Sequence, residues 1–147
     1  NIFGLKLVQS VARRYLKEQI IGENYIQSSE NVLDYLRHNL RDRGREVFLV
    51  VLLNGRNQVL DIVELFEGTL TTSAVYPREV IKLILEKDAA AVIFVHNHPS
   101  GNPNPSKDDQ NLTQKLKAAC STIDVQLHDH LIIAGNDYTS MADKGMV

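Results

Sequence analysis

Cysteine is almost missing from this 147-residue chain, where Cys120 stands alone. A single thiol cannot close an intramolecular disulfide, and it excludes every metal site built on two or more cysteines. Long apolar runs are missing too. None approaches the roughly 20 residues that cross a bilayer, and no signal-peptide pattern opens the chain. Nor is there an excess of basic charge, the usual footprint of a nucleic-acid binder, because the formal net charge is −2. That charge is uneven, +3 over residues 1–45 and −5 over residues 46–147, and the basic portion reads as a solvated helix face. Two hydrolytic signatures are also absent. There is no His-Glu-x-x-His, and no His-x-Glu paired with Pro-Cys-x-x-Cys as zinc deaminases require. The remaining composition, 44% hydrophobic and 23% charged, is that of one soluble domain, with a reducing cytoplasm as its expected setting. The chain begins at Asn1 rather than Met, so it is expected to be part of a longer one.

Helical and strand patterns are interspersed along the chain without strict alternation. Ile2, Leu5, Val8, Ala12, Tyr15 and Leu16 fall at helical spacing and predict an amphipathic helix over residues 2–20, ended by Gly22 and Asn24. Ser28 or Ser29 opens a second helix with Val32, Leu33, Leu36 and Leu40 inward. Residues 46–53 are apolar on both faces and predict a central strand. The Asn54-Gly55 turn signal returns the chain as an antiparallel partner over residues 58–66, and residues 68–75 are expected to continue the sheet. Pro77 stands in the first turn of a third helix, with Val80, Ile81, Ile84 and Leu85 inward. A strand over 89–98, a helix from Ser106, a strand over 125–134 and a short strand at 138–140 follow. The fold class is therefore α+β (mixed α/β), with a mostly antiparallel sheet.

The chemistry gathers between Ala89 and Asp109. An apolar, β-branched run ends in His96-Asn97-His98, and the period of a strand aims both imidazoles at one side. A loop holding Pro99, Pro103 and Pro105 then leads to Ser106-Lys107-Asp108-Asp109, the opening of the fourth helix. Two imidazole nitrogens and one carboxylate make three ligands of a tetrahedral zinc site and leave the fourth position open for water; iron and manganese suit the same ligand types. Ser-x-x-Asp is equally a helix capping box, and only its pairing with the histidines turns the reading toward ligation. Hydrolysis of an amide needs one more carboxylate to move a proton. Glu46, Glu64, Glu67 and Glu79 are candidates, and Glu46 ranks first because it stands at the mouth of the central strand.

His96-x-His98, seven residues, Ser106, two residues, Asp109 resembles the signature of the JAMM (MPN+) metalloproteases without a departure. A narrower resemblance is to bacterial RadC-like proteins. It is carried by the run from His96 to Gly101, Pro105-Ser106, Gly68-Thr69, the run from Tyr76 to Glu79, and Asp129-His130. The resemblance implies a curved, mostly antiparallel sheet flanked by helices, an architecture similar to that of cytidine deaminases. It divides the chain into residues 1–24, the tail of a helix-hairpin-helix-like segment, and a JAMM domain over residues 25–147. It implies Zn2+ on His96, His98 and Asp109, Glu46 as general acid/base, and Ser106 as a donor to the oxyanion. The implied reaction is cleavage of a peptide or isopeptide bond in a peptide or protein substrate. A DNA-repair accessory module that binds partners without proteolysis is the alternative.

A second His-x-His, His128-Asp129-His130, lacks a carboxylate-bearing helix at ligand spacing. Asp129 shares sequence parity with Val125, Leu127, Leu131 and Ile133, and a carboxylate on an apolar face wants a partner. Asp129 and His130 are therefore placed behind the metal ligands, Asp129 orienting a ligand histidine, with a purely structural hydrogen bond as the even alternative. His38 reads as surface, Arg78-Glu79 as a solvated helix start and Cys120 as core.

Overall fold

The run Val47–Leu53 (β1) is buried at every residue, so the sheet that contains it must be covered on both faces. The computed structural model describes residues 2–147. Around β1 the chain places α1 (Ile2–Ile20), α2 (Ser29–Leu40), β2 (Val59–Glu67), α3 (Pro77–Lys87), β3 (Ala91–Asn97), α4 (Lys107–Ser121), β4 (Gln126–Ala134) and β5 (Asp137–Ser140). The strands form one sheet in the order β2-β1-β3-β4-β5. The β3–β4 pair is parallel, joined through α4, and the other neighbours are antiparallel. Val47, Leu49, Val51 and Leu53 pack with Val32, Leu36 and Leu40 of α2. Phe48, Val50 and Leu52 pack on the opposite face with Val80 and Ile84 of α3 and Leu112 and Leu116 of α4. Leu83 takes the inward place expected of Leu85, which is exposed.

The same alternation on β3 decides where the histidines go. Ala91, Ile93 and Val95 face α2, and Val92 and Phe94 face α3 and α4. Two further steps carry His96 and His98 to the α4 side and Asn97 to the α2 side. Strand β4 breaks this simple parity. Val92 pairs with Leu127 and Ile93 with Asp129, which leaves His128 as the extra residue of a β-bulge. Val125 and Leu127, before the bulge, join the α4-side core, whereas Leu131 and Ile133, after it, join the α2-side core. The expectation that Asp129 shares a face with all four is thereby corrected. The bulge also turns His130 toward α4.

Two other expectations are revised. Residues 68–75 do not continue the sheet. Gly68 has φ +143, and a Cβ there would lie 3.2 Å from the Phe66 ring; its N–H instead bonds the carbonyl of Glu46 at 2.9 Å. The stripe on α1 is not buried either. Ile2, Leu5, Val8 and Tyr15 are exposed, whereas Leu16 and Ile20 at the far end of α1 join the core and Lys17 pairs with Asp61 of β2 at 2.7 Å. No helix among the described residues is long and apolar enough to cross a membrane.

Candidate metal centre

His96, the last residue but one of β3, is fully buried, and His98 follows one residue past the strand, held by its N–H on the Ile133 carbonyl at 2.9 Å. Their Nε2 atoms meet at 3.0 Å. Asp109 closes the group from the first turn of α4, with Oδ1 3.1 Å from His96 Nε2 and Oδ2 3.0 Å from His98 Nε2. His98 Nδ1 donates to the Asn102 carbonyl at 2.7 Å. A carbonyl only accepts, so in the neutral ring the proton sits on Nδ1 and Nε2 is a bare lone pair. That lone pair faces a carboxylate and a second imidazole at contact distance. Such an arrangement repels itself unless a proton or a cation lies among the three groups. Two imidazole nitrogens and a carboxylate are a donor set that divalent zinc accepts, and the residues present fit such an ion.

The electrostatics lean the same way. Burial alone would raise the pKa of Asp109, but the His96 and His98 rings against it and the Ser106 N–H outweigh burial and hold the carboxyl far below the usual range. The bond to Asp109 raises the pKa of His98 against the opposing effect of burial, with further help from the Asn102 carbonyl and the Glu46 charge. Capping and convergence prove to be the work of one side chain. Ser106 Oγ accepts from the Asp109 N–H at 3.0 Å, and Asp109 Oδ2 accepts from the Ser106 N–H at 2.8 Å. The capping box therefore fixes the carboxylate that faces the histidines.

Glu46 sits one residue before β1. A carboxylate oxygen of Glu46 lies within 4.8 Å of a ring nitrogen of both His96 and His98, and these three residues could hold a metal ion between them. Asp109 approaches the histidines more closely, so Glu46 stands at the edge of the donor set. Of the other candidate glutamates, Glu64 pairs with Arg43 at 2.9 Å, and Glu79 with Arg78 at 3.9 Å on the surface. The position of Glu46 is set by Asn97, the residue between the two histidines. Its Oδ1 accepts from the Val47 N–H at 2.6 Å and its Nδ2 donates to the Arg45 carbonyl at 3.0 Å, so one buried side chain grips the backbone on both sides of Glu46.

His130 is fully buried behind His96, with Nε2 2.7 Å from His96 Nδ1 and Nδ1 2.5 Å from Thr113 Oγ1. Burial, reinforced by neighbouring His96, holds its pKa well below the ordinary value, so the ring is neutral. Of the two roles open to Asp129, the structure shows the structural hydrogen bond. On the α2 side of the bulge, its carboxylate accepts from Ser140 Oγ at 2.5 Å and from the N–H groups of Ala142 and His130 at 3.0 and 2.7 Å. It ties down β5 rather than a ligand ring. His128 bonds Asn57 at 2.9 Å, so the second His-x-His is divided between two places. Cys120 is buried in the core, which pushes its thiol pKa up to about 11.

Asn97, Asn102 and Thr113 escaped the sequence reading. Two of them left a signal. A polar residue between two strand-end histidines must turn to the opposite face and find partners there, and Thr113 stands four residues after Asp109, on the same helix face.

The family model described as RadC-like JAB domain matches residues 26–146. A UPF0758 protein of Shewanella baltica (strain OS185) is 44% identical over 143 residues, which cover 97% of this chain and 64% of that protein. One from Idiomarina loihiensis is 45% identical with the same coverage. The chain thus spans 64% of the length of these curated relatives.

Proposed function

Because the chain belongs to the RadC-like JAB domain family, we propose that it is a zinc-dependent hydrolase that cleaves a peptide or isopeptide bond. One observation carries the reading. The lone pair of His98 Nε2, whose partner nitrogen is committed to the Asn102 carbonyl, converges with His96 and Asp109 at 3.0–3.1 Å. His96, His98 and Asp109 would hold the ion, which when bound would polarise the substrate carbonyl and make a water acidic enough to attack at neutral pH.

Glu46 then has the task of a proton carrier. Its carboxylate takes the proton of the attacking water and passes it to the leaving amine, from a place that the Asn97 clamp keeps fixed. Ser106 serves beside it. Its Oγ accepts from the Asp109 N–H, which leaves the hydroxyl hydrogen to donate to the oxygen that gains charge.

The test is Glu46→Gln. The variant should keep its zinc and lose about 10²–10⁴-fold in cleavage of peptide or isopeptide-linked substrates. Used as a zinc-loaded trap, it should retain the substrate of the whole protein. Chelator-insensitive activity, or full activity of Glu46→Gln, would sink the assignment. Salt-dependent DNA binding with no cleavage would favour the accessory-module alternative.

A further inference from the structure

We infer that Thr113 and His130 set the tautomer of His96, so that His96 presents Nε2 to the metal position as a lone pair. The inference rests on the reading of His96 as a metal ligand. It starts from a count of protons. The Thr113 hydroxyl has one hydrogen, and its best acceptor is the Asp109 backbone carbonyl at 2.6 Å, ahead of the weakly accepting Met141 sulfur at 3.8 Å. With that hydrogen committed, Thr113 Oγ1 can only accept from His130 Nδ1, which therefore carries the ring proton. His130 Nε2 is left as an acceptor. His96 Nδ1, 2.7 Å away, must donate to it, and the remaining nitrogen of His96 is then unprotonated.

Thr113, His130 and His96 are all fully buried, so no solvent competes for these bonds and each link fixes the next. Run in reverse, the relay would withdraw the Thr113 hydroxyl hydrogen from the Asp109 carbonyl and put a proton on His96 Nε2, in the place between the three groups that an ion would take. The origin of the relay is the backbone of Asp109 itself. One residue thus supplies the carboxylate and, through its carbonyl, orients the opposite imidazole. His98 reaches the same state through a single bond to Asn102; His96 reaches it through three. Thr113 and His130 are positioning residues, since neither faces the substrate side of the donor set.

The experiment reads the imidazole 15N resonances of the metal-free chain at a pH above the imidazole range. His96 should show a protonated Nδ1 and a bare Nε2. Thr113→Val, which keeps the volume and removes the hydroxyl, should mix the two tautomers and weaken zinc binding by about tenfold or more, whereas Thr113→Ser should restore both. A proton on His96 Nε2 in the unaltered chain overturns the inference, with no variant needed. So does a Thr113→Val protein with unchanged tautomer and zinc affinity. Should the chain take up no zinc, the metal reading falls, while the 15N pattern still decides the tautomer.

Discussion

At the scale of single residues, the site is built from side chains that do two things at once. Asp109 caps a helix and faces the histidines through one carboxylate, so the choice between capping and ligation posed by Ser-x-x-Asp does not arise in three dimensions. Asn97 is the reverse case, a residue between two ligands that acts on a third group. Its amide satisfies both peptide groups flanking Glu46 and is itself buried. Asn97→Ala would leave those groups without partners and should lower stability by about 1–3 kcal/mol in denaturant unfolding. Wild-type stability in Asn97→Ala would remove the clamp from the account. His96, His98, Ser106 and Asp109 were legible because strand and helix periods place them with few degrees of freedom. Asn102 was not, since a backbone carbonyl that steers a ring carries no pattern of its own, and Thr113 shows in the sequence only as a residue on the helix face of Asp109.

Among elements, β4 teaches most. Its alternating apolar residues read as one face, and a single extra residue at His128 divides them between two. An inserted strand residue leaves no mark on a hydrophobicity pattern, so the turn of Asp129 away from the ligand histidines, while His130 stays behind them, could not be read in advance. The same holds for residues 68–75, whose strand-like composition is overridden by a turn at Gly68 that brings the Leu70 N–H within 3.4 Å of Glu46 Oε1. Strand β1 was legible for the opposite reason, because two apolar faces admit only a central position. Helix α1 was legible as a helix, but its surroundings were not: periodicity reports an apolar stripe, not whether anything covers it.

For the whole molecule, the sheet links the α1 side to the α3 side through Asp61, which accepts from Lys17 at 2.7 Å and Lys87 at 3.0 Å. Burial alone would raise its pKa, but the two lysines outweigh burial and bring it below 3.8. A carboxyl lowered on folding stabilises the native state above its unfolded pKa and loses that contribution as the pH falls through the folded value. Asp61→Asn should therefore cost on the order of 1 kcal/mol or less at neutral pH, and melting curves of the two proteins should converge as the pH drops below about 4. A pH-independent difference would mean that the pair acts by packing alone. The function rests on a larger claim, that the molecule holds one zinc on His96, His98 and Asp109 while Glu46 stays free to carry a proton. Zinc content per chain tests this most directly, measured side by side for the unaltered protein and for Glu46→Gln, His98→Ala, Asp109→Ala and His128→Ala. The account predicts one equivalent in the unaltered protein, Glu46→Gln and His128→Ala, and loss in His98→Ala and Asp109→Ala. Loss in Glu46→Gln with retention in Asp109→Ala would contradict it, making Glu46 the ligand and Asp109 only a cap.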